Sequence, residues 1–281
     1  MADGPISRRN DSTTLRLYTH NIWCRHGDWD DRRGVLRDGI RALDPHLITL
    51  QETVVLDDVD QVSELLDGYH VAHSRKRSTD GMGISIASRW PIADMTELDL
   101  DVTARTAGFP CTTLIATIEA PPPFGPLMLV NHFPDFQVDH ELERELQTAL
   151  AARAIEHRIA ERPSHVLLAG DLDAEPEAAS LRFLAGRQSL EGLSVCYRNA
   201  WDAVRPADPC RTYVPENPLA PDDWPFQCID HIFIRCGPHG GPTLRIAGCD
   251  LAFDAPVDGV WASDHIGLVA DFTPDDIEEP R

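Results

Sequence analysis

The chain has 281 residues, 46 of them acidic against 25 basic, and a formal net charge of −21. Its length and 42% hydrophobic share are enough for a buried core and exclude wholesale disorder. The acidity speaks against a protein that coats a nucleic-acid backbone or an anionic lipid surface, since either needs a basic face. A cleft holding divalent cations is nonetheless locally positive even on an acidic protein.

No apolar run approaches the ~20 residues that span a bilayer. Residues 1–14 lack the apolar stretch of a secretory signal. The seven cysteines are scattered and form no CxxC pair, which reads as reduced thiols in a cytoplasmic protein and not as a zinc site.

In chain order, residues 1–12 are polar and read as a tail. Residues 15–23 alternate apolar and polar as a strand does. Leu36, Ile40 and Leu43 share a stripe that predicts a helix over 31–43, stopped at Asp44-Pro45. A strand is expected at 46–50 and a short helix at 60–66. Strands follow at 82–87, 113–118 and 127–130, the last two separated by a Pro-rich turn. Helical spacing of Leu142, Leu146, Leu150, Ala154 and Ile155 predicts a helix over 138–160, ended by Pro163. A strand at 166–169, a helix at 177–184 and strands at 229–234 and 266–272 complete the pattern, and 274–281 reads as an acidic tail. Many strands with few helices and no regular βα alternation point to packed sheets.

The polar residues of interest stand where these strands end or begin: Asn21, Glu52, Asn131, His132, Asp171, Asp173, Asp230, Asp264 and His265. Each has a plainer reading. Glu52 alone would be a solvated loop residue. Asp171 and Asp173 could form an Asx-turn and cap the following helix. What singles them out is their occurrence together on apolar strands, which is how a rigid scaffold delivers acids, amides and histidines to one rim.

The ordered runs THNIW (19–23), QE (51–52), VNH (130–132), GDLDAEP (170–176), IDHIF (229–233) and SDH (263–265) resemble the endonuclease/exonuclease/phosphatase superfamily. That group includes exonuclease III-like and DNase I-like nucleases, neutral sphingomyelinases and inositol polyphosphate 5-phosphatases. The resemblance spans about residues 14–272. It implies an α/β fold, a four-layer sandwich of two packed mixed β-sheets flanked by helices, in a single domain over 13–273.

The resemblance also implies metal-assisted hydrolysis of a phosphoester with Mg²⁺ or Mn²⁺, one or two ions. Glu52, Asn21 and Asp264 would contact the ion, Asp171 would activate water, and a protonated His265 would bind the scissile phosphate, charged by Asp230. His132 matches the histidine of the family's NxH motif, a donor to phosphoryl or leaving oxygen, beside Asn131 as a substrate contact. The family's GDxN here reads Gly170-Asp171-Leu172-Asp173. An ionised Asp173 cannot donate a hydrogen bond as asparagine does, and it is expected to strengthen metal binding. Some nucleases of the group carry an acid where this chain has Trp23, and a tyrosine near 82–92 where it has none.

Arg75, Lys76 and Arg77 form the only dense basic cluster. It is either a solvated loop or a grip on a second phosphate. Trp224, placed with the substrate-binding candidates, either lines a substrate pocket or packs a loop, and the Pro-rich 214–225 is a candidate lid or specificity loop. The expected substrate is a small-molecule or lipid-headgroup phosphoester, with extended nucleic acid disfavoured by charge. A nuclease of the same chemistry and a catalytically silent binding protein are the alternatives.

Overall fold

The computed structural model describes residues 13–274, so the expected tails lie outside it except for Pro274. The elements in chain order are β1 (Leu15–Asn21), α1 (Trp29–Leu43), β2 (Leu47–Leu56), β3 (Val59–Asp60), β4 (His70–His73), β5 (Met82–Ser88), β6 (Ile92–Asp99), β7 (Thr112–Ile118) and β8 (Leu127–Phe133). They continue as α2 (Glu141–Glu161), β9 (His165–Asp171), α3 (Ala179–Leu184), β10 (Tyr197–Asn199), α4 (Ala200–Val204), β11 (Asp230–Arg235), β12 (Arg245–Ala252) and β13 (Gly267–Thr273).

Two mixed sheets result. The first runs β12-β13-β1-β2-β5-β4 with β3 beside β2, and the second runs β10-β11-β9-β8-β7-β6. Alternation assigns each strand's residues to two different cores. Leu17, Leu47, Ile86, Leu129, Leu167 and Leu268 face the space between the sheets. Their neighbours Tyr18, Ile48 and Leu50 face outward under Leu36 and Ile40 of α1, while Val130 and Leu168 pack under Ala152 and Ile155 of α2. Strands covered on both faces must be apolar on both, hence the unbroken runs in the sequence. The layers are helix, sheet, sheet, helix, as expected.

Three local readings change. Residues 61–65 are turns and not helix. Asp60 Oδ1 accepts from the backbone of Val62 and Ser63, closing a turn in a segment too short to nucleate a helix. The strand expected to end at Leu50 continues to Leu56 through an irregularity between Leu50 and Thr53. The strands that patterning did not find are β3, β4, β6, β10 and β12, and the last four of these are the edges of the two sheets.

Each sheet holds one parallel pair, β1 with β2 and β8 with β9. The C-terminal ends of these four strands lie at the same rim as the starts of β11 and β13. There β8 and β9 approach so closely that a Cβ on Gly170 would stand 2.1 Å from the carbonyl oxygen of His132, and Gly170 also has a φ of +155°. Gly170→Ala should therefore cost about 2 kcal/mol or more of unfolding free energy. Gly248→Ala, where the added Cβ meets open space, should cost far less. Denaturant midpoints with unchanged m-values measure both.

Candidate active site

Asp230 begins β11 opposite Asp171, the last residue of β9. Asp230 Oδ2 lies 2.9 Å from Nδ1 of His265, which arrives on the turn before β13. The other imidazole nitrogen points back to Asp171 Oδ2 at 3.8 Å. Burial by itself would strip the His265 proton, but facing Asp230, Asp171 and Asp264 hold its pKa well above the ordinary range. The ring is a cation held by carboxylates, oriented by the one at Nδ1. Its backbone is fixed as well: the carbonyl meets His20 Nε2 at 3.0 Å, and Ile266 donates to Thr212 O at 2.7 Å.

Glu52 does not end its strand. It occupies the irregularity in β2 with a φ of +53°, and Asp173 has a φ of +49°. Two acids in the left-handed region at one rim are strain concentrated at a site. The bulge turns Glu52 from the sheet's alternation toward the cleft. Asn21 joins the two sheets' acids, with Nδ2 donating to Glu52 Oε1 at 3.0 Å and to Asp171 Oδ2 at 2.9 Å. Its amide oxygen accepts from Trp23 N at 3.0 Å. That fixes the amide's orientation and turns the NH₂ toward the carboxylates.

Among the described lining residues His265 is the acids' counter-charge, and it does not balance them. Burial is the largest cause of a raised pKa at Asp171, with Asp173 adding to it. Burial pushes Asp173 up to about 7 and Asp264 up to about 6. Asp173 Oδ2 is buried with no hydrogen-bond partner. Asp171 Oδ1 takes the backbone N–H of Asp173 at 3.3 Å. Neither acid caps α3, whose N-cap residue Ala178 has no side-chain hydrogen bond. Converging hard carboxylate oxygens are a donor set that suits Mg²⁺ or Mn²⁺.

Other expected residues fall elsewhere. His132 faces away from the cleft. It is fully buried between Thr113 Oγ1 at 2.7 Å and Thr148 Oγ1 at 3.4 Å, and burial lowers its pKa to about 3. The cause is strand parity: in NxH the two polar residues share a face, but Asn131 and His132 are adjacent and so point oppositely. The residue two after Asn131 is Phe133, and it lines the cleft. Asn131 is fully buried and committed to Gln51, Leu50 O and Ser85 O, with nothing left for substrate. Arg77 donates to the carbonyls of Ser74, Thr53, Gly81 and Ile84. Arg75 pairs with Glu97, and Lys76 with Asp99 and Asp101. None of the three lines the cleft.

Trp224 does line it, with Tyr213, Pro221, Phe109, Phe133 and Phe136. Tyr213 packs on His265 with ring centres 4.6 Å apart. The loop carrying Tyr213 and Trp224 forms a wall of the cleft and is anchored at Thr212 and Asn217. Thr212 Oγ1 accepts from Ile229 and Asp230, and Asn217 donates to Ser263 O and Asp264 O. Arg32 of α1 was also missed. Buried beneath the rim, it donates to carbonyls of Ile22, Trp23, Cys24, His26 and Ala262. Nothing in its helical stripe distinguishes it from a solvated arginine.

Residues 18–265 match the sequence profile of the Endonuclease/Exonuclease/phosphatase family, and the chain belongs to it. This is a superfamily of metal-dependent phosphoesterases, generally hydrolytic. D. rerio TDP2 complexed with a single-strand DNA product is similar in fold, with 20% identity, a TM-score of 0.71, and coverage of 92% of this chain and 99% of that one. The human Nocturnin catalytic domain with bound sulfate has 19% identity, a TM-score of 0.72, and coverage of 94% and 95%. An endonuclease/exonuclease/phosphatase protein from Bacteroides vulgatus has 17% identity, a TM-score of 0.70, and coverage of 94% and 100%. No curated protein sequence matches the chain. Among the described residues, no helix is long and apolar enough to cross a membrane.

Because Asp173 and Asp264 hold protons in the folded chain that they release near 3.8 when unfolded, the cation-free protein should lose stability as pH rises from about 4 through about 7. A bound cation removes that penalty. Mg²⁺ should therefore raise Tm more at about pH 7.5 than at about pH 5. Equal shifts at both pH values in a thermal-unfolding series would contradict this account of the acids.

Proposed function

We propose that the protein is a Mg²⁺- or Mn²⁺-dependent hydrolase of a compact phosphoester, a small molecule or lipid headgroup. The observation that carries this reading is one cleft of about 270 Å³ lined by Glu52, Asp171, Asp173, Asp264 and the cationic His265. A cation held by Glu52 and Asp264, with Asp173 as a further oxygen donor, supplies Lewis acidity and neutralises charge on the phosphoryl oxygens. Asp171, Asp230 and His265 also bring ligand atoms within 4.8 Å of one another. We place no ion there, because Nδ1 of His265 is engaged by Asp230 and the ring is protonated.

The chain's own groups divide the remaining work. Asp171, whose proton affinity burial raises, accepts the attacking water's proton in its ionised form. Asn21 holds that carboxylate at a fixed distance from Glu52. His265 donates from Nε2 to a phosphoryl oxygen and stabilises the charge that grows in the transition state. The new P–O bond forms from water as the bond to the leaving oxygen breaks, with the water's proton going to Asp171.

The compact substrate follows from what the cleft lacks. Among the described residues no lysine or arginine lines it, and a net charge of −21 weighs against attraction of a polyanion. The likeness to TDP2 with its DNA product keeps a nuclease as the second reading. A single screen with Mg²⁺ and Mn²⁺ separates them: bis(aryl) phosphodiester, aryl phosphomonoester, sphingomyelin-type lipid, inositol phosphates, nucleotides, and single- and double-stranded DNA. Turnover of the compact esters and silence in EDTA is the expected result. Steeply salt-dependent turnover of DNA alone would favour the nuclease.

His265→Ala and Asp171→Asn should each lower kcat by about 10²-fold or more with circular dichroism unchanged. Asp173→Asn should weaken Mg²⁺ binding in calorimetry; unchanged affinity would remove Asp173 from the ion's donor set.

A further inference from the structure

Part of the cleft's lining is aromatic. Phe109, Phe133 and Phe136 form a continuous wall, with Phe109 5.2 Å from Phe133 and 4.9 Å from Phe136 by ring centres. All three line the cleft that holds the acids and His265. Phe133 is fully buried and forms the floor, while Phe136 and Phe109 are half-buried. Rings left partly open beside a polar site are apolar area available to a ligand.

The wall is held from behind. Asp135 N donates to Gln147 Oε1 at 2.9 Å, and Asp135 Oδ1 lies 2.8 Å from His140 Nδ1. Arg144 donates to the carbonyls of Asp135 and Gln137. These anchors on and before α2 fix the loop after β8 with Phe133 and Phe136 toward the cleft. They also turn Asp135, the acid nearest these rings in sequence, away from them and into the protein.

We infer that Phe109, Phe133 and Phe136 form a subsite for an apolar, uncharged substituent of the phosphoester, aryl or branched alkyl, beside the phosphate bound at His265. The inference rests on the phosphoester reading above and names the substrate class within it. A quaternary ammonium group, which aromatic rings also attract, is the less favoured occupant. The cleft's carboxylates stand with His265 at the phosphate end, and Asp135 is spent on His140.

Phosphonates test this without turnover, because they keep the phosphate-like end and vary one substituent. In the presence of Mg²⁺, phenylphosphonate should bind the wild-type protein about tenfold or more tighter than methylphosphonate. Phe136→Ala should bring that ratio close to one while leaving methylphosphonate affinity unchanged. Phe136→Leu, which retains apolar area and guards against a folding defect in the alanine variant, should keep part of the preference. Equal binding of the two phosphonates by the wild type overturns the subsite and leaves the phosphoester site standing. Tighter binding of a trimethylammonium-ethyl phosphonate than of its neutral dimethylbutyl counterpart overturns the apolar class. Failure of both phosphonates to bind, with no metal-dependent turnover in the screen, overturns the phosphoester reading and the subsite together.

Discussion

The rim depends on a short polar bridge between two otherwise apolar sheets. Gln51 of the first sheet donates to Asn131 of the second at 2.8 Å, and Asn131 returns both amide hydrogens to Leu50 O and Ser85 O. Just above, Asn21 reaches across to Asp171. An amide buried between sheets costs stability unless its groups are satisfied, and Asn131 satisfies all of its own on the facing sheet. The sheets are therefore locked in depth and register where the chemistry sits. Glu52 and Asp264 belong to one sheet's rim and Asp171 and Asp230 to the other's, so their separations are set by this bridge.

On that frame the electrostatics are deliberately unbalanced. Among the described residues His265 is the one cation lining the cleft, and its charge is already divided among three carboxylates. Arg32 sits beneath the rim but spends its donors on backbone carbonyls, fixing the Trp23–His26 turn and the approach to Asp264 without reaching the cleft. A site this rich in unneutralised acid is poised for a cation. The protein stores the repulsion as raised proton affinity until one arrives.

Much of this was legible in the sequence, and the exceptions share causes. Strands covered on both faces announced themselves as apolar runs. Edge strands such as β6 did not, because one side lies open and Asp94, Glu97 and Asp99 are compatible with loop. The ordered acids and His265 converge because strand ends place them and loops need only be short. His132 matches the family motif by residue type, but one position after Asn131 it faces the opposite side of β8. The bulge at Glu52, the aromatic wall and the arginine clamp depend on tertiary neighbours and left no local periodicity to read. The basic cluster was ambiguous by itself, and nearby carbonyls and acids decided its place.

The irregularity in β2 sets a limit on how this site can vary. It absorbs one residue of chain so that Glu52 leaves the sheet's alternation while Thr53 and Val54 rejoin the pairing with β5. Deleting the extra residue would straighten the strand and remove the turn that aims Glu52 at the cleft, with Thr53 and Val54 keeping their faces; a residue added elsewhere in the strand, with no bulge to absorb it, would exchange inside for outside beyond it. The one-residue offset of His132 and Phe133 in β8 shows the scale of such an exchange, an imidazole on one face and a phenyl ring on the other. In this chain a side chain at the walls can therefore change with the strands unaltered, whereas a one-residue shift within β2 or β8 would move a site residue off its face.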